Sequence, residues 1–147
     1  MKIKRLNPNA TIPTQGTPGS AGWDLYACIG KGEGDFVVIQ PGETVKISTG
    51  LAIQLHPGLV GLIFARSGMA VKRGLRPANC VAVMDWDYRG DYIVALHNDS
   101  TEPEWIYHGD RIAQLVITTY ISEEWEEVDE LEETQRGVGG FGSTGTN

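Results

Sequence analysis

The chain has 147 residues, 41% of them hydrophobic and 21% charged, a size and balance suited to one soluble domain with its own core. Its formal net charge of -7 argues against non-specific binding to nucleic acid, which rests on neutralising phosphates. No apolar run approaches the roughly 20 residues of a membrane-spanning helix. The basic start Met1-Lys2-Ile3-Lys4-Arg5 leads into no apolar stretch, so no secretory leader is expected and a cytoplasmic-type compartment is the default.

The acidity is uneven. Eight of the nineteen acids fall within residues 123–133, and the other eleven face twelve basic residues. A local pocket for a small polyanion is therefore compatible with the net charge. Cys28 and Cys80 are too few and too far apart for a disulfide framework or a metal cluster, and both read as plain buried thiols. His56, His97 and His108 stand alone, with no zinc-type spacing.

In chain order, short apolar or alternating runs are cut by Gly, Pro, Asn and Asp, which is the pattern of an all-β chain. Strands are expected over residues 2–6, 24–29, 35–40, 44–48, 51–55, 59–65, 80–85, 91–97, 104–107 and 111–120. Turn signals separate them: Thr17-Pro18-Gly19, Pro41-Gly42, Pro57-Gly58, Arg89-Gly90 and His108-Gly109-Asp110. Such spacing suggests a sandwich, jelly roll or barrel. One short helix is predicted from Ser67 to about Lys72, with Ser67 as its N-cap. Trp125, Val128 and Leu131 repeat at helical spacing within the acidic segment and give a second helical hint. The segment from Arg136 to Gly145 has five glycines in ten residues, so it builds no core element. It reads either as a frayed terminus or as a flap whose N–H groups wrap an anion, with Arg136, Ser143 and Thr144 as donors and Phe141 as a stacking face. Residues 1–122 then make the β-domain, 123–135 an acidic arm and 136–147 the glycine-rich flap.

Five ordered segments carry a resemblance: Ala21-Gly22-Trp23-Asp24-Leu25-Tyr26, Arg66-Ser67-Gly68-Met69-Ala70, Met84-Asp85-Trp86-Asp87-Tyr88-Arg89-Gly90, Gly109-Asp110-Arg111-Ile112-Ala113-Gln114-Leu115, and the tail from Arg136 to Gly145. Together they resemble the trimeric dUTPase family over nearly the whole chain. The resemblance implies a distorted jelly roll (a β-clip), hydrolysis of dUTP to dUMP and pyrophosphate, and a homotrimer with shared sites. Such an enzyme limits uracil incorporation into DNA and supplies dUMP for dTMP synthesis. Three positions depart from the pattern: Ala65 in place of proline, Trp23 in place of tyrosine, and Ala82 where glycine is frequent. Ala82 is the departure with the most to change, because glycine permits backbone angles that alanine resists.

Asp85 and Asp87 are two apart, so in regular strand geometry they share a face. Read alone they are hairpin-end carboxylates. The resemblance makes Asp85 the general base that orients and deprotonates the water attacking the α-phosphorus. Tyr88 alone is a half-buried strand aromatic; the resemblance sets its ring against the deoxyribose, where a ribose 2′-hydroxyl would clash. Asn79 alone is a turn residue; the resemblance makes its amide the reader of the uracil edge. Arg66, Ser67 and Gly68 open the short helix, where free N–H groups favour phosphate. Gln114 is a solvent-facing strand residue or, by resemblance, a contact to the phosphate chain. By the resemblance, Arg136, Gly142, Ser143 and Thr144 would hold the γ-phosphate and Phe141 would offer a stacking face. Mg2+ is implied, held mainly by triphosphate oxygens and water, with Asp24 touching a metal-bound water or bonding its own strand edge. Two other readings stay open: a dCTP deaminase-like enzyme of the same fold, and a dUTP-gated interaction protein using the acidic segment, which otherwise is a solvated face.

Overall fold

The computed structural model describes residues 1–30 and 34–140. Its elements in chain order are β1 (Lys2–Arg5), β2 (Thr14–Gln15), β3 (Trp23–Tyr26), β4 (Phe36–Ile39), β5 (Thr44–Ser48), β6 (Leu51–Gln54), β7 (Leu59–Phe64), α1 (Ser67–Arg73), β8 (Leu75–Pro77), β9 (Ala82–Met84), β10 (Ile93–Asn98), β11 (Glu104–Tyr107) and β12 (Arg111–Thr119). Every ladder is antiparallel. The largest sheet runs β2-β3-β12-β7-β9; β5-β10-β8 forms a second, and β1-β6 and β11-β4 are two-stranded. This is the expected all-β, jelly-roll-like architecture with a single short helix among the described residues.

The core explains the order. Leu25, Ile39, Ile63, Leu75, Leu96, Ile106 and Ile112 come from seven strands and are fully buried. Burying each such side chain stabilises the fold by about 1.5–3 kcal/mol. In β12 the register shifts between Arg111 and Ala113, so Ile112 and Ala113 are both buried. Beyond that shift Ala113 and Leu115 point into this core and Gln114 between them is only partly buried, the period of two of a half-buried strand.

Several expectations change. The helix N-cap is Arg66, with extended backbone and no side-chain capping bond, so Ser67 is the first helical residue. The helix ends where Gly74 takes the left-handed φ of 63° and its N–H reaches Met69 O. Residues 125, 128 and 131 form no helix, and Trp125 is fully exposed. Strand β9 stops at Met84, so Asp85 and Asp87 lie in a turn and not on one face of a strand. Cys28 is buried but Cys80 is exposed. Strands β2 and β8 were not anticipated; β8 holds Pro77, which a sheet accepts here because β8 is an edge strand.

Tyr92, just before β10, is fully buried, and burial pushes its phenol up to about 12. In the unfolded chain a phenol ionises near 10. The fold holds the neutral form, so this contribution is intact below pH ~10 and is lost as pH rises towards 12. Tyr92→Phe removes the titration. Its melting temperature, followed by circular dichroism, should fall less between pH ~10 and ~12 than that of the wild type.

Candidate functional site

Two hollows collect seven of the nine described site residues. The first is lined by Gly16, Ser20, Gly22, Asp24, Arg66, Ser67, Arg111 and Gln114 among others. Its centre is Asp24 on β3, whose side chain is only 13% exposed. Arg66 Nε donates to Asp24 Oδ1 at 2.7 Å, and Arg111 Nη1 donates to Oδ2 at 3.2 Å. One carboxylate thus holds two guanidinium groups at the mouth of the hollow. Gln114 lies opposite Asp24 in the β12–β3 ladder, and its amide Nε2 donates to Ala65 O at 2.9 Å. Gly22 leaves room for it: a Cβ there would sit 2.6 Å from Gln114 Oε1. Ser67 and Gly68 are exposed at the start of α1.

The second hollow is lined by Asn79, Ala82, Val83, Met84, Asp85, Tyr88, Asp91 and Ile93. Its rim is two turns. In the first, Cys80 adopts a left-handed φ of 60°, its N–H bonds Pro77 O at 3.0 Å, and Val81 N–H bonds Asn79 O at 2.6 Å. This reversal carries Asn79 to the hollow. In the second, the chain turns after Met84, and Tyr88 N–H bonds Asp85 O at 3.2 Å. Arg89 Nη1 closes that turn on the carbonyls of Trp86 and Tyr88, at 2.9 and 3.0 Å. Asp85 is exposed, and among the described residues no hydrogen bond or ion pair engages its carboxylate. A solvent-facing carboxylate beside a hollow suits a proton acceptor for water.

The two hollows share no lining residue. The structure therefore brings Asp24, Arg66, Ser67 and Gln114 together, and separately Asn79, Asp85 and Tyr88. Arg136 joins neither; it lies in a turn where its Nε bonds Gly139 O at 3.0 Å. Phe141, Gly142, Ser143 and Thr144 lie outside the described residues. Arg111 and Asp91 are additions. Arg111 stood within a motif but had no role, and its partner Asp24 is 87 residues away. Asp91 had only the signal of a carboxylate beside Gly90; its carbonyl accepts the Tyr88 hydroxyl at 3.1 Å.

Comparison with known proteins decides the family. The dUTPase family model matches residues 8–145. The chain belongs to the dUTPase family. It is 49% identical over 137 residues to the deoxyuridine 5′-triphosphate nucleotidohydrolase of Desulfitobacterium hafniense, covering 92% of this chain and 88% of that protein. It is 44% identical over 144 residues to the Hahella chejuensis enzyme of the same name, covering 97% and 92%. Among solved structures, a mutant of the Staphylococcus bacteriophage 80alpha dUTPase with dUpNHpp superposes with a TM-score of 0.87 at 28% identity, covering 99% of this chain and 98% of that one. A dUTPase mutant from S. aureus phage phi11, described with a structural Mg(II) ion, superposes with a TM-score of 0.78 at 25% identity, covering 90% and 98%.

Among the described residues no three His, Cys, Asp or Glu side chains group to hold a metal ion. None of the described helices is long and apolar enough to cross a membrane.

Asp24 makes a direct prediction. Asp24→Asn keeps the shape but weakens both charged bonds, so Arg66 and Arg111 lose their shared anchor. Bonds to charged groups are worth about 1.5–3 kcal/mol, so kcat/KM for dUTP should fall about 10- to 100-fold. Steady-state kinetics with dUTP check this, with the melting temperature measured alongside.

Proposed function

We propose that this dUTPase acts as a homotrimer, hydrolysing dUTP to dUMP and pyrophosphate at sites assembled from more than one chain. The observation that carries the shared-site reading is the separation of the two hollows within one chain. One has guanidinium groups for phosphate, and the other has an amide, a ring and a carboxylate for a nucleoside and a water. In the second hollow, the Asn79 amide reads the uracil edge and the Tyr88 ring lies against the deoxyribose, excluding a 2′-hydroxyl. Asp85 takes a proton from a water. The oxygen of that water bonds to the α-phosphorus, the bond from the α-phosphorus to the bridging oxygen breaks, and pyrophosphate leaves with the bonding pair.

Arg66, Ser67, Gly68 and Gln114 from a neighbouring chain hold the phosphates. From Arg136 onward, the tail serves a site other than its own chain's: Arg136, Gly142, Ser143 and Thr144 bind the γ-phosphate and Phe141 stacks on the base. Mg2+ fits this arrangement as a cation bound by triphosphate oxygens and water, because the described side chains offer no cage of their own. Each Asp24 oxygen has accepting capacity beyond its arginine bond and so suits a metal-bound water. When bound, the ion neutralises phosphate charge. A cytoplasmic location belongs with this reading. The deaminase and gated-interaction readings are not favoured by the family match.

Pyrophosphate release from dUTP, dTTP, dCTP and UTP in parallel tests the substrate; efficient turnover of dUTP alone is expected. Asp85→Asn should lower kcat by about 10²–10⁴-fold while dUTP binding persists, because Asn accepts no proton from water. A variant with more than half of the wild-type kcat would remove Asp85 from the mechanism.

The shared site has its own test. Truncation after Gln135 should inactivate the enzyme. Mixing that truncated chain equally with full-length Asp85→Asn chains, and letting subunits exchange, pairs intact Asp85 with an intact tail in about a quarter of sites. If each tail served its own chain, no site would recover. Native mass spectrometry confirms the mixed trimers and dUTP hydrolysis reads the outcome.

A further inference from the structure

A ring that excludes a hydroxyl by occupying its space must itself be held in place. Tyr88 is 41% exposed, and a side chain so placed, left alone, changes rotamer and admits the hydroxyl. The structure holds it from two sides. The Tyr88 hydroxyl donates to Asp91 O at 3.1 Å, and Asp91 is itself tied down by Ser48 Oγ, which donates to its Oδ2 at 2.5 Å. Against the Tyr88 ring lies the ring of Tyr92, with centroids 6.2 Å apart and planes tilted by 39°.

Tyr92 is built to stay where it is. Its side chain is fully buried. Its N–H bonds Leu51 O at 2.9 Å, and its carbonyl accepts Thr49 N–H at 3.3 Å. Its hydroxyl sits 3.5 Å from Ile53 O, long for an O–H···O bond, so the ring carries the contact and the hydroxyl adds little. Gly90 completes the arrangement: a Cβ there would collide with the Tyr88 phenol, which folds back over its own turn.

We propose that Tyr92 is a positioning residue for sugar selectivity, its buried ring fixing the Tyr88 ring in the place that a ribose 2′-hydroxyl would occupy. The proposal rests on the reading that Tyr88 faces the deoxyribose. Tyr92 touches no substrate and acts only through Tyr88. Asn79 sits in a separate turn, so discrimination between bases is independent of Tyr92.

The test compares kcat/KM for dUTP, UTP and dCTP in full-length, assembled protein. Tyr92→Phe keeps the ring and should keep the dUTP-to-UTP ratio. Tyr92→Leu should lower that ratio about three- to tenfold, the scale of one aromatic pair, and leave the dUTP-to-dCTP ratio unchanged. Tyr92→Met refills more of the volume and serves if the Leu variant does not fold. In a Tyr88→Ala background, Tyr92→Leu should lower the dUTP-to-UTP ratio no further. An unchanged ratio in a folded Leu or Met variant overturns the proposal, as does an equal loss against UTP and dCTP, or a further fall in the double variant. Tyr88→Phe supplies a measurement with the core intact. Losing only the hydroxyl should keep the ratio within about threefold of wild type, because Tyr92 still holds the ring. A fall to the Tyr88→Ala level would show that the hydroxyl tether alone places the ring, and would also overturn the proposal. If Tyr88→Ala itself leaves the ratio unchanged, it is the deoxyribose reading that fails.

Discussion

Strand β7 is the constraint from which the site follows. It is paired on both edges, to β12 from Leu59 to Phe64 and to β9 from Gly61 to Ile63. Register in such a strand is strict, because a slip of one residue would turn Ile63 out of the core. With the register fixed, Gln114 stands opposite Phe64, and the chain leaves β7 directly into Ala65, Arg66 and α1. On the other edge, Met84 stands opposite Gly61, so the turn carrying Asp85 begins at the far side of the same strand. Gly61 permits this close approach: a Cβ there would lie 3.0 Å from Leu115 Cδ1 and 3.2 Å from Met84 Cβ. One strand therefore sets both hollows, and sets them apart.

The legible parts of the sequence were those governed by neighbours in the chain. The runs at residues 44–48 and 104–107 carry their strand signal in five and four residues, and both strands have those bounds. The 125–131 pattern has helical spacing, but eight carboxylates within eleven residues repel one another, and no described surface of the same chain buries Trp125. Helix periodicity without a partner face makes no helix. The site divided in the same way. The family resemblance pointed to nine of the described residues; Asp24, Arg66, Ser67, Asn79, Asp85, Tyr88 and Gln114 line two hollows, while Gly68 and Arg136 line neither. The bond from Arg111 to Asp24 was not legible, because it depends on the β12–β3 register and not on any local signal.

The departures from the family pattern have local explanations. Ala82 pairs with Ile63 in an ordinary strand; the left-handed backbone that would demand glycine belongs to Cys80, two residues earlier. Ala65 contributes its carbonyl to Gln114, and proline has the same carbonyl, so the exchange leaves that bond intact. Trp23 packs against the main core and lines an apolar groove with Ile3, Ile12, Ile53, Leu115 and Ile117. A larger ring there adds apolar contact and removes no polar group from either hollow.

Charge then bears on the proposal that the hollow around Asp24 takes the phosphates and needs help from outside it. Asp24 offsets one of the two guanidinium groups it organises, so the Asp24–Arg66–Arg111 cluster carries a net charge of about +1. A triphosphate brings several negative charges, and Asp85 and Asp91, which line the second hollow, add more. Preorganised cations outweigh that repulsion only if more arrive with the substrate or close over it. In the proposed trimer, a divalent ion on the phosphates and Arg136 on a neighbouring tail are two such sources. Asp24 trades net charge for order: without it two like-charged groups would repel one another, and with it both are fixed but half neutralised. The cost of that order is dependence on groups from outside the hollow, which is the electrostatic counterpart of the proposed division of the site between chains.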